Sequence, residues 1–154
     1  MIRLFSLCLA VLLANAWVAA WAQPGGSPGV LHDPREIHLA DVRQLTGGGE
    51  NAEAYWSPDG THLVFQSTHG EYQCDQIFAM NVADPSQRSL VSTGTGRTTC
   101  GYYTADGERI VFSSTHAASK ACPPVPDFSR GYVWPIYDSY QIYSAKPDGS
   151  DLQA

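Results

Sequence analysis

The chain repeats one hairpin pattern at a fixed distance, and this repeat limits the folds that are open to it. Residues 55–69 read YWSPDGTHLVFQSTH, and residues 102–116, which lie 47 positions later, read YYTADGERIVFSSTH. Each copy contains an aromatic segment, an Asp-Gly turn and an apolar strand, which together predict a β-hairpin. A hairpin that recurs at a constant period is typical of proteins built from stacked repeats.

The first complete unit covers about residues 50–93 and predicts four strands. These are Glu53–Trp56, Leu63–Ser67, Gln76–Asn81 and Ser89–Ser92. The first turn, SPDG, suits a tight reversal because proline fixes φ and glycine tolerates positive φ. The Leu-Val-Phe core of the second strand has no polar alternation, which predicts burial on both faces. Four antiparallel strands in about 47 residues indicate one propeller blade.

The second unit, about residues 99–154, is an incomplete blade with an insertion at about 117–138. The QIF segment follows the first Ser-Thr-His by 7 residues and its QIY counterpart follows the second by 25, so the insertion adds 18 residues. A long loop inside a compact repeat is usually functional or disordered, and aromatic residues argue against disorder. We therefore predict a binding loop with Phe128, Tyr132, Trp134 and Tyr137 as its contact residues.

The segment before the first unit predicts an outer strand at Ile37–Thr46, which ends at three consecutive glycines. Together these patterns predict an all-β chain. Residues 37–154 are predicted to form a β-propeller fragment of about two four-stranded antiparallel blades plus the preceding outer strand. The last residues occupy the place of a fourth strand without completing it, so we expect a truncated propeller.

The first residues predict export rather than a folded element. Arg3 precedes a long apolar run, and Ala20-Trp21-Ala22 resembles a signal-peptidase site, so residues 1–22 are predicted to be a signal peptide. Residues 23–36 are predicted to be a Pro/Gly-rich linker. Cleavage after Ala22 would leave no membrane anchor and would place the protein in the periplasm or outside the cell.

The charge balance excludes one large class of partners. The chain has nine basic and fifteen acidic residues, and its formal net charge is −6. Binding to a phosphate backbone needs clustered lysine and arginine. We therefore expect no nucleic-acid partner.

Three cysteines, Cys74, Cys100 and Cys122, remain after the predicted cleavage. Disulfides persist in exported proteins, and an odd count leaves at least one thiol over. We expect Cys100 to pair with Cys122, because both belong to one unit and one face. The pairings Cys74–Cys100 and Cys74–Cys122 stay open as alternatives.

Zinc binding is the other interpretation of these cysteines. Blade topology brings His69 and His116 to the same face, and thiols with imidazoles can ligate zinc. The irregular spacing and the exported context favour a disulfide with one buried thiol instead, and histidines that serve the fold. We predict no metal site.

Two features that resemble catalytic motifs are better explained by structure. Residues 25–29 match G-x-S-x-G around Ser27, but that motif works between a strand and a helix, and here it lies in a linker. Asp59 and Asp106 lie on separate turns, where aspartate normally hydrogen bonds its own backbone. We expect no catalytic residues, no cofactor and no enzyme activity.

Ser-Pro-Asp-Gly before an apolar strand, together with Asp-Gly-Ser-Asp-Leu at residues 148–152, resembles the TolB-type, WD40-like propeller repeat. The match runs from about residue 37 to the end. In the second copy Ala105 replaces the proline and Tyr103 replaces the tryptophan. The resemblance implies a ring of typically four to eight blades and binding of proteins or other macromolecules in the cell envelope.

Two functions from different classes follow. The first is an exported, non-catalytic binding module whose insertion-bearing face contacts a protein or glycan in the cell envelope. The alternative is the N-terminal propeller portion of a larger exported hydrolase or peptidase, because similar propellers cap serine peptidases of the prolyl oligopeptidase type. A catalytic motif encoded after the last blade would favour the alternative.

Overall fold

The computed structural model describes residues 30, 31, 33 and 35–154. The predicted signal peptide, residues 1–22, and the motif around Ser27 lie outside the described residues. Regular structure in the described part consists of β-strands, and none of its segments is a helix that could cross a membrane.

The described residues form nine strands in three antiparallel sheets. They are β1 Val30–Leu31, β2 Val42–Arg43, β3 Asn51–Trp56, β4 His62–Ser67, β5 Gln76–Asn81, β6 Arg88–Leu90, β7 Thr98–Tyr103, β8 Ile110–Ser114 and β9 Gln141–Ala145. The sheet orders are β1-β2, β3-β4-β5-β6 and β7-β8-β9. The two larger sheets are successive blades of a β-propeller fragment, which confirms the predicted fold class.

The predicted outer strand at Ile37–Thr46 is mostly wrong. Only β2 is a strand within it, and β2 pairs with β1, which lies inside the predicted linker, rather than with a blade. The side chains of Ile37 and Leu39 are 82% and 61% exposed, so no sheet covers them. Leu45 does pack against the outer face of the first blade, which ties this segment to the propeller.

The main core lies between the two blades. The first blade contributes Val64, Ile77, Ala79 and Val91, and the second contributes Tyr103, Ile110, Phe112, Tyr143 and Ala145. These side chains come from one face of each sheet, because strand residues alternate between the two faces. Burial of this shared layer fixes the two blades against each other.

The two apolar strands at the centres of the blades differ in burial. In β4, Val64 is 0% and Phe65 is 3% exposed, which confirms the prediction that this strand is covered on both faces. In β8, Ile110 and Phe112 are buried but Val111 is 37% exposed. One face of β8 is therefore partly open, because in the described chain only its other face packs against another sheet.

The inner strand of each blade, which is β3 in the first and β7 in the second, contains a β-bulge at the same repeat position. The register shifts between Ala52 and Tyr55 in β3, and between Thr99 and Tyr102 in β7. The additional residues include Glu53 at φ 53° and Cys100 at φ 57°, in the left-handed region. A bulge bends the strand and redirects its side chains, so it changes which way the middle of each inner strand faces.

The second blade consists of three hydrogen-bonded strands and one isolated β-bridge at its outer edge. Ser144 of β9 forms an isolated antiparallel bridge with Gln153, at the place that β6 occupies in the first blade. Arg109 strengthens this edge, because its guanidinium donates to the carbonyl oxygen of Ser144 at 3.0 Å and to the carboxylate of Asp151 at 2.7 Å.

Candidate functional site

The insertion folds over the end of the blades that lies opposite the Asp-Gly turns. Strand β8 ends at Ser114 and β9 begins at Gln141, so residues 115–140 lie at the same end as the connection between β4 and β5. Two hydrogen bonds shape the loop: the Gly96 amide donates to the Lys120 carbonyl at 2.9 Å, and the Tyr137 hydroxyl donates to the Pro124 carbonyl at 3.0 Å. The first bond directs the loop towards the first blade.

A disulfide fixes the loop to the neighbouring blade. Cys122 is bonded to Cys74, which lies just before β5, and their Cα atoms are 5.9 Å apart. The expected Cys100–Cys122 pairing is wrong. Cys100 lies at the bulge in the middle of β7, not at the strand end. Its thiol is free and exposed, so the expectation of a buried remaining thiol is also wrong.

The disulfide also bears on the zinc interpretation. It occupies Cys74 and Cys122, and a bonded sulfur is not the thiolate that zinc requires. Across residues 30, 31, 33 and 35–154, no three His, Cys, Asp or Glu side chains are grouped so that they could hold a metal ion.

The repeated Ser-Thr segment holds the start of each inner strand. In the first blade the Glu50 amide donates to the Thr68 hydroxyl at 2.9 Å, and in the second the Arg97 amide donates to the Thr115 hydroxyl at 3.0 Å. In both blades the threonine amide donates back to the carbonyl of the same partner at 3.0 Å. This reciprocal pair explains why the segment recurs in each repeat.

The repeated histidines follow the same pattern. The His69 amide donates to the Ser67 hydroxyl at 3.0 Å, and the His116 amide donates to the Ser114 hydroxyl at 3.2 Å. The His116 ring also lies 4.3 Å from the ring of Tyr143, and burial there lowers the pKa of its imidazole. The His116 side chain therefore packs within the second blade, whereas the bond at His69 is made by its backbone amide, so the structural role expected for the His69 side chain stays a prediction.

A cavity of about 190 Å³ lies beneath the loop, and we call it the loop-side cavity. Its walls include polar residues of both blades and aromatic residues of the loop. The polar residues are Glu50, Gln66, Asp75, Arg97 and Thr99, and the aromatic residues are Phe128, Tyr132, Trp134 and Tyr140. Three of the four predicted contact residues therefore line one cavity. Tyr137 does not line it; its ring lies 5.9 Å from that of Tyr140 instead.

Phe128, Tyr132 and Trp134 form a continuous row, which we call the aromatic row. The ring centroids of Phe128 and Tyr132 are 6.3 Å apart, and those of Tyr132 and Trp134 are 6.4 Å apart. The three side chains are 48%, 79% and 49% exposed. All three rings therefore present a large part of their surface to solvent.

The floor of the loop-side cavity holds a charged pair. Arg97 Nε lies 3.5 Å from Asp75 Oδ2, and both side chains are about one-fifth exposed. The two side chains form an ion pair without a hydrogen bond, because Arg97 Nε is buried and has no hydrogen-bond partner in the described part of the chain. Burial raises the pKa of Asp75, and the positive charge of Arg97 opposes that rise.

Gln66 connects the floor of the cavity to the bulge of the second blade. Its side-chain amide oxygen, Oε1, accepts a hydrogen bond from the Thr99 hydroxyl at 2.8 Å and one from the Cys100 backbone amide at 3.3 Å. Sequence reasoning missed Gln66, Asp75 and Arg97. Asp75 directly precedes β5 and Arg97 directly precedes β7, at the end of the blades that bears the insertion. Their position at these strand starts is the signal from which both could have been predicted.

At the opposite end, the aspartates of the two Asp-Gly turns accept hydrogen bonds from residues of their own turns, as predicted. Asp59 Oδ1 accepts from the Ser57 hydroxyl at 2.6 Å and from the Thr61 amide at 3.0 Å. Asp106 Oδ1 accepts the equivalent bonds from Thr104 and Glu108 at 2.6 and 3.0 Å. The bonds from Ser57 and Thr61 lower the pKa of Asp59 to about 2.

Comparison with solved structures shows what the fold is similar to. The chain is similar to a protein described as putative TolB from Agrobacterium tumefaciens, with 19% sequence identity and a TM-score of 0.51. The similarity covers 74% of this chain and 36% of that one, so this chain spans about a third of its neighbour's length. No protein-family model and no curated protein matches the sequence. The fold is therefore TolB-like.

Proposed function

We propose that the chain is an exported, non-catalytic β-propeller module that binds a protein or glycan partner in the cell envelope through the aromatic row. The observation that carries this proposal is the position of three exposed rings above a cavity with a charged floor. Binding sites commonly combine large apolar or aromatic walls with a few placed polar groups.

The tether of the loop supports a binding role. Cys122 and Cys74 join the insertion to the first blade, so the loop loses less conformational freedom when it meets a partner. Tyrosine and tryptophan are enriched among the residues that carry most of the energy of an interface. A pre-ordered loop that presents such side chains is suited to recognition.

The disulfide also supports export. Disulfides form and persist in oxidising compartments and are rare in the cytosol. The Cys74–Cys122 bond agrees with the periplasmic or secreted location that the first 22 residues predict.

The environments of the carboxylates support a non-catalytic role. General acid–base catalysis needs groups that converge on one reacting atom. Asp59 and Asp106 are held by hydrogen bonds from their own turns, and Asp75 lies beside Arg97. Purified protein is therefore expected to hydrolyse no ester, peptide or glycoside substrate. Activity that a Ser27→Ala substitution abolishes would contradict this part of the proposal.

Substitution of Trp134 tests the binding surface. Biotinylated protein would be used to capture partners from an envelope-protein extract and to probe a glycan array, and its affinity for each captured partner would be measured. We expect Trp134→Ala to lower that affinity at least about tenfold, as loss of a central aromatic anchor does. The melting temperature should stay nearly unchanged, because Trp134 is 49% exposed.

A neighbouring residue provides the matched control. Ile136 belongs to the same loop, is 88% exposed and is not among the residues that line the loop-side cavity, so Ile136→Ala should leave binding intact. A large fall in melting temperature for Trp134→Ala would show that the ring belongs to the core and would overturn the proposal. Equal binding of both variants would also overturn it.

A further inference from the structure

A second cavity lies at the opposite end of the fragment, between the Asp-Gly turns of the two blades. It has a volume of about 320 Å³, and its walls include Asp59, Asp106, Tyr103, Pro58 and Pro147. We call it the turn-side cavity. It shares no lining residue with the loop-side cavity.

Tyr103 gives this cavity a polar group that the fold leaves without a partner. The residue is 6% exposed, and its buried hydroxyl has no hydrogen-bond partner among the residues that the structure describes. Burial raises the pKa of this hydroxyl to about 12, and the negative charge of Asp59 adds to the rise. Buried polar groups are nearly always paired, so an exception in a cavity wall points to a missing ligand.

The walls carry two carboxylates, those of Asp59 and Asp106, and one imidazole, that of His62. The pKa values of Asp59 and Asp106 are both held below the ordinary range by hydrogen bonds within their turns, so both are ionised near neutral pH. The bonds from Thr104 and Glu108 both go to Asp106 Oδ1, which leaves Oδ2 for a ligand. No lysine or arginine is among the residues that line the cavity.

We propose that the turn-side cavity binds the guanidinium group of an arginine side chain from a partner peptide. A planar guanidinium carries five N–H donors in a fixed arrangement, which suits a carboxylate next to a hydroxyl oxygen. Its aliphatic stem can pack against the rings of Pro58 and Pro147 while the charged head reaches Asp106 and Tyr103.

A divalent cation fits the cavity less well. Calcium takes six to eight oxygen ligands and magnesium requires near-octahedral geometry. Asp59 Oδ1 already accepts bonds from Ser57 and Thr61, and Oδ2 accepts one from the Thr61 hydroxyl at 2.9 Å. A guanidinium group, by contrast, needs only the carboxylate and hydroxyl oxygen atoms that these hydrogen bonds leave free.

Titration of the full chain with Nα-acetyl-arginine amide tests the proposal, with the citrulline analogue as a neutral probe of the same shape. We expect saturable binding of the arginine probe and at least tenfold weaker binding of the citrulline probe. Asp106→Asn should lower affinity for the arginine probe at least tenfold. Asp84→Asn is the matched control: Asp84 is a turn aspartate that its own Ser86 and Gln87 hold, and it does not line the cavity.

Tyr103→Phe separates binding from folding. It removes only the unpartnered hydroxyl, so the melting temperature should stay equal or rise while affinity for the arginine probe falls severalfold. Three results would overturn the proposal. They are equal binding of the two probes, unchanged affinity in Tyr103→Phe, and calcium binding that displaces the probe and depends on Asp59 and Asp106.

Discussion

Gly101 of β7 packs directly against Ile77 of β5, across the interface between the two blades. A Cβ atom at position 101 would lie 2.9 Å from Ile77 Cγ2 and 3.1 Å from Val64 Cγ2. Both neighbours are fully buried and β-branched, so neither has room to move. Gly101 directly follows the bulge residue Cys100 in β7, and only a residue without a side chain fits there.

Gly101→Ala should therefore destabilise the protein, because the added methyl group overpacks the core between the blades. We expect a loss of about 1–3 kcal/mol in the free energy of unfolding, measured by thermal or urea melting. Gly47→Ala is the control, since a Cβ there meets no atom within 4 Å. Equal melting of the two variants would show that the blades do not meet as described.

Cys122→Ser should lower stability by about 2–4 kcal/mol, because it opens a disulfide that closes a long loop. The two bonded cysteines are 48 residues apart in sequence. Cys100→Ser should change stability little, since that thiol is free and exposed. Urea unfolding of both variants provides the comparison. A non-reducing peptide map should contain a Cys74–Cys122 peptide, and a peptide that joins Cys100 to either cysteine would refute the assignment.

Thr115→Val should destabilise the protein by about 1–3 kcal/mol, because it leaves the Arg97 amide without its acceptor. The substitution keeps the shape of a side chain in a residue that is only 2% exposed. Thr115→Ser retains the hydroxyl and should recover most of the loss. If valine and serine variants melted alike, the hydroxyl would have no structural role.

Asp59→Asn should flatten the response of stability to acid. The pKa of Asp59 is lowered from 3.8 to about 2 in the folded protein, so the folded state binds its proton less readily than the unfolded state. This stabilisation is complete above the ordinary pKa and is lost as the pH falls from about 4 towards 2. Melting temperatures of wild type and variant should differ at pH 7 and converge near pH 2.

Glu71→Gln is the matching control for this titration, because Glu71 is an exposed carboxylate outside the Asp-Gly turns. Its melting temperature at pH 7 should match that of the wild type. A constant difference between Asp59→Asn and wild type from pH 7 to pH 2 would show that the turn does not depend on the charge of Asp59.

The strands and their turns were accessible from the sequence because their signals are local. An Asp-Gly turn between apolar segments specifies a hairpin within about fifteen residues, and its recurrence places two blades side by side. Strand β5 has the predicted bounds, and β4 differs from the prediction by one residue. The exposed aromatic row was also accessible, since an 18-residue insertion rich in aromatic side chains stands out against a repeat of fixed length.

The disulfide pairing was not accessible, because it depends on the bulge at Cys100 and on the path of the insertion. A bulge with a left-handed residue usually carries glycine there, but this chain has Glu53 and Cys100 at the two positions. No local pattern therefore shows that Cys100 turns away from Cys122. The unpartnered hydroxyl of Tyr103 is equally a product of packing between blades, which the sequence of one repeat does not contain.

The bond between Cys74 and Cys122 joins consecutive repeats, and this affects how the chain opens in the folded state. Repeat proteins commonly behave as a series of units that open one at a time, each coupled only to its neighbours. Here a covalent link holds the second unit to the first, so neither can detach independently. Amide protons of β5 and β8 should accordingly exchange with solvent through one shared opening event, and reduction should separate it into two.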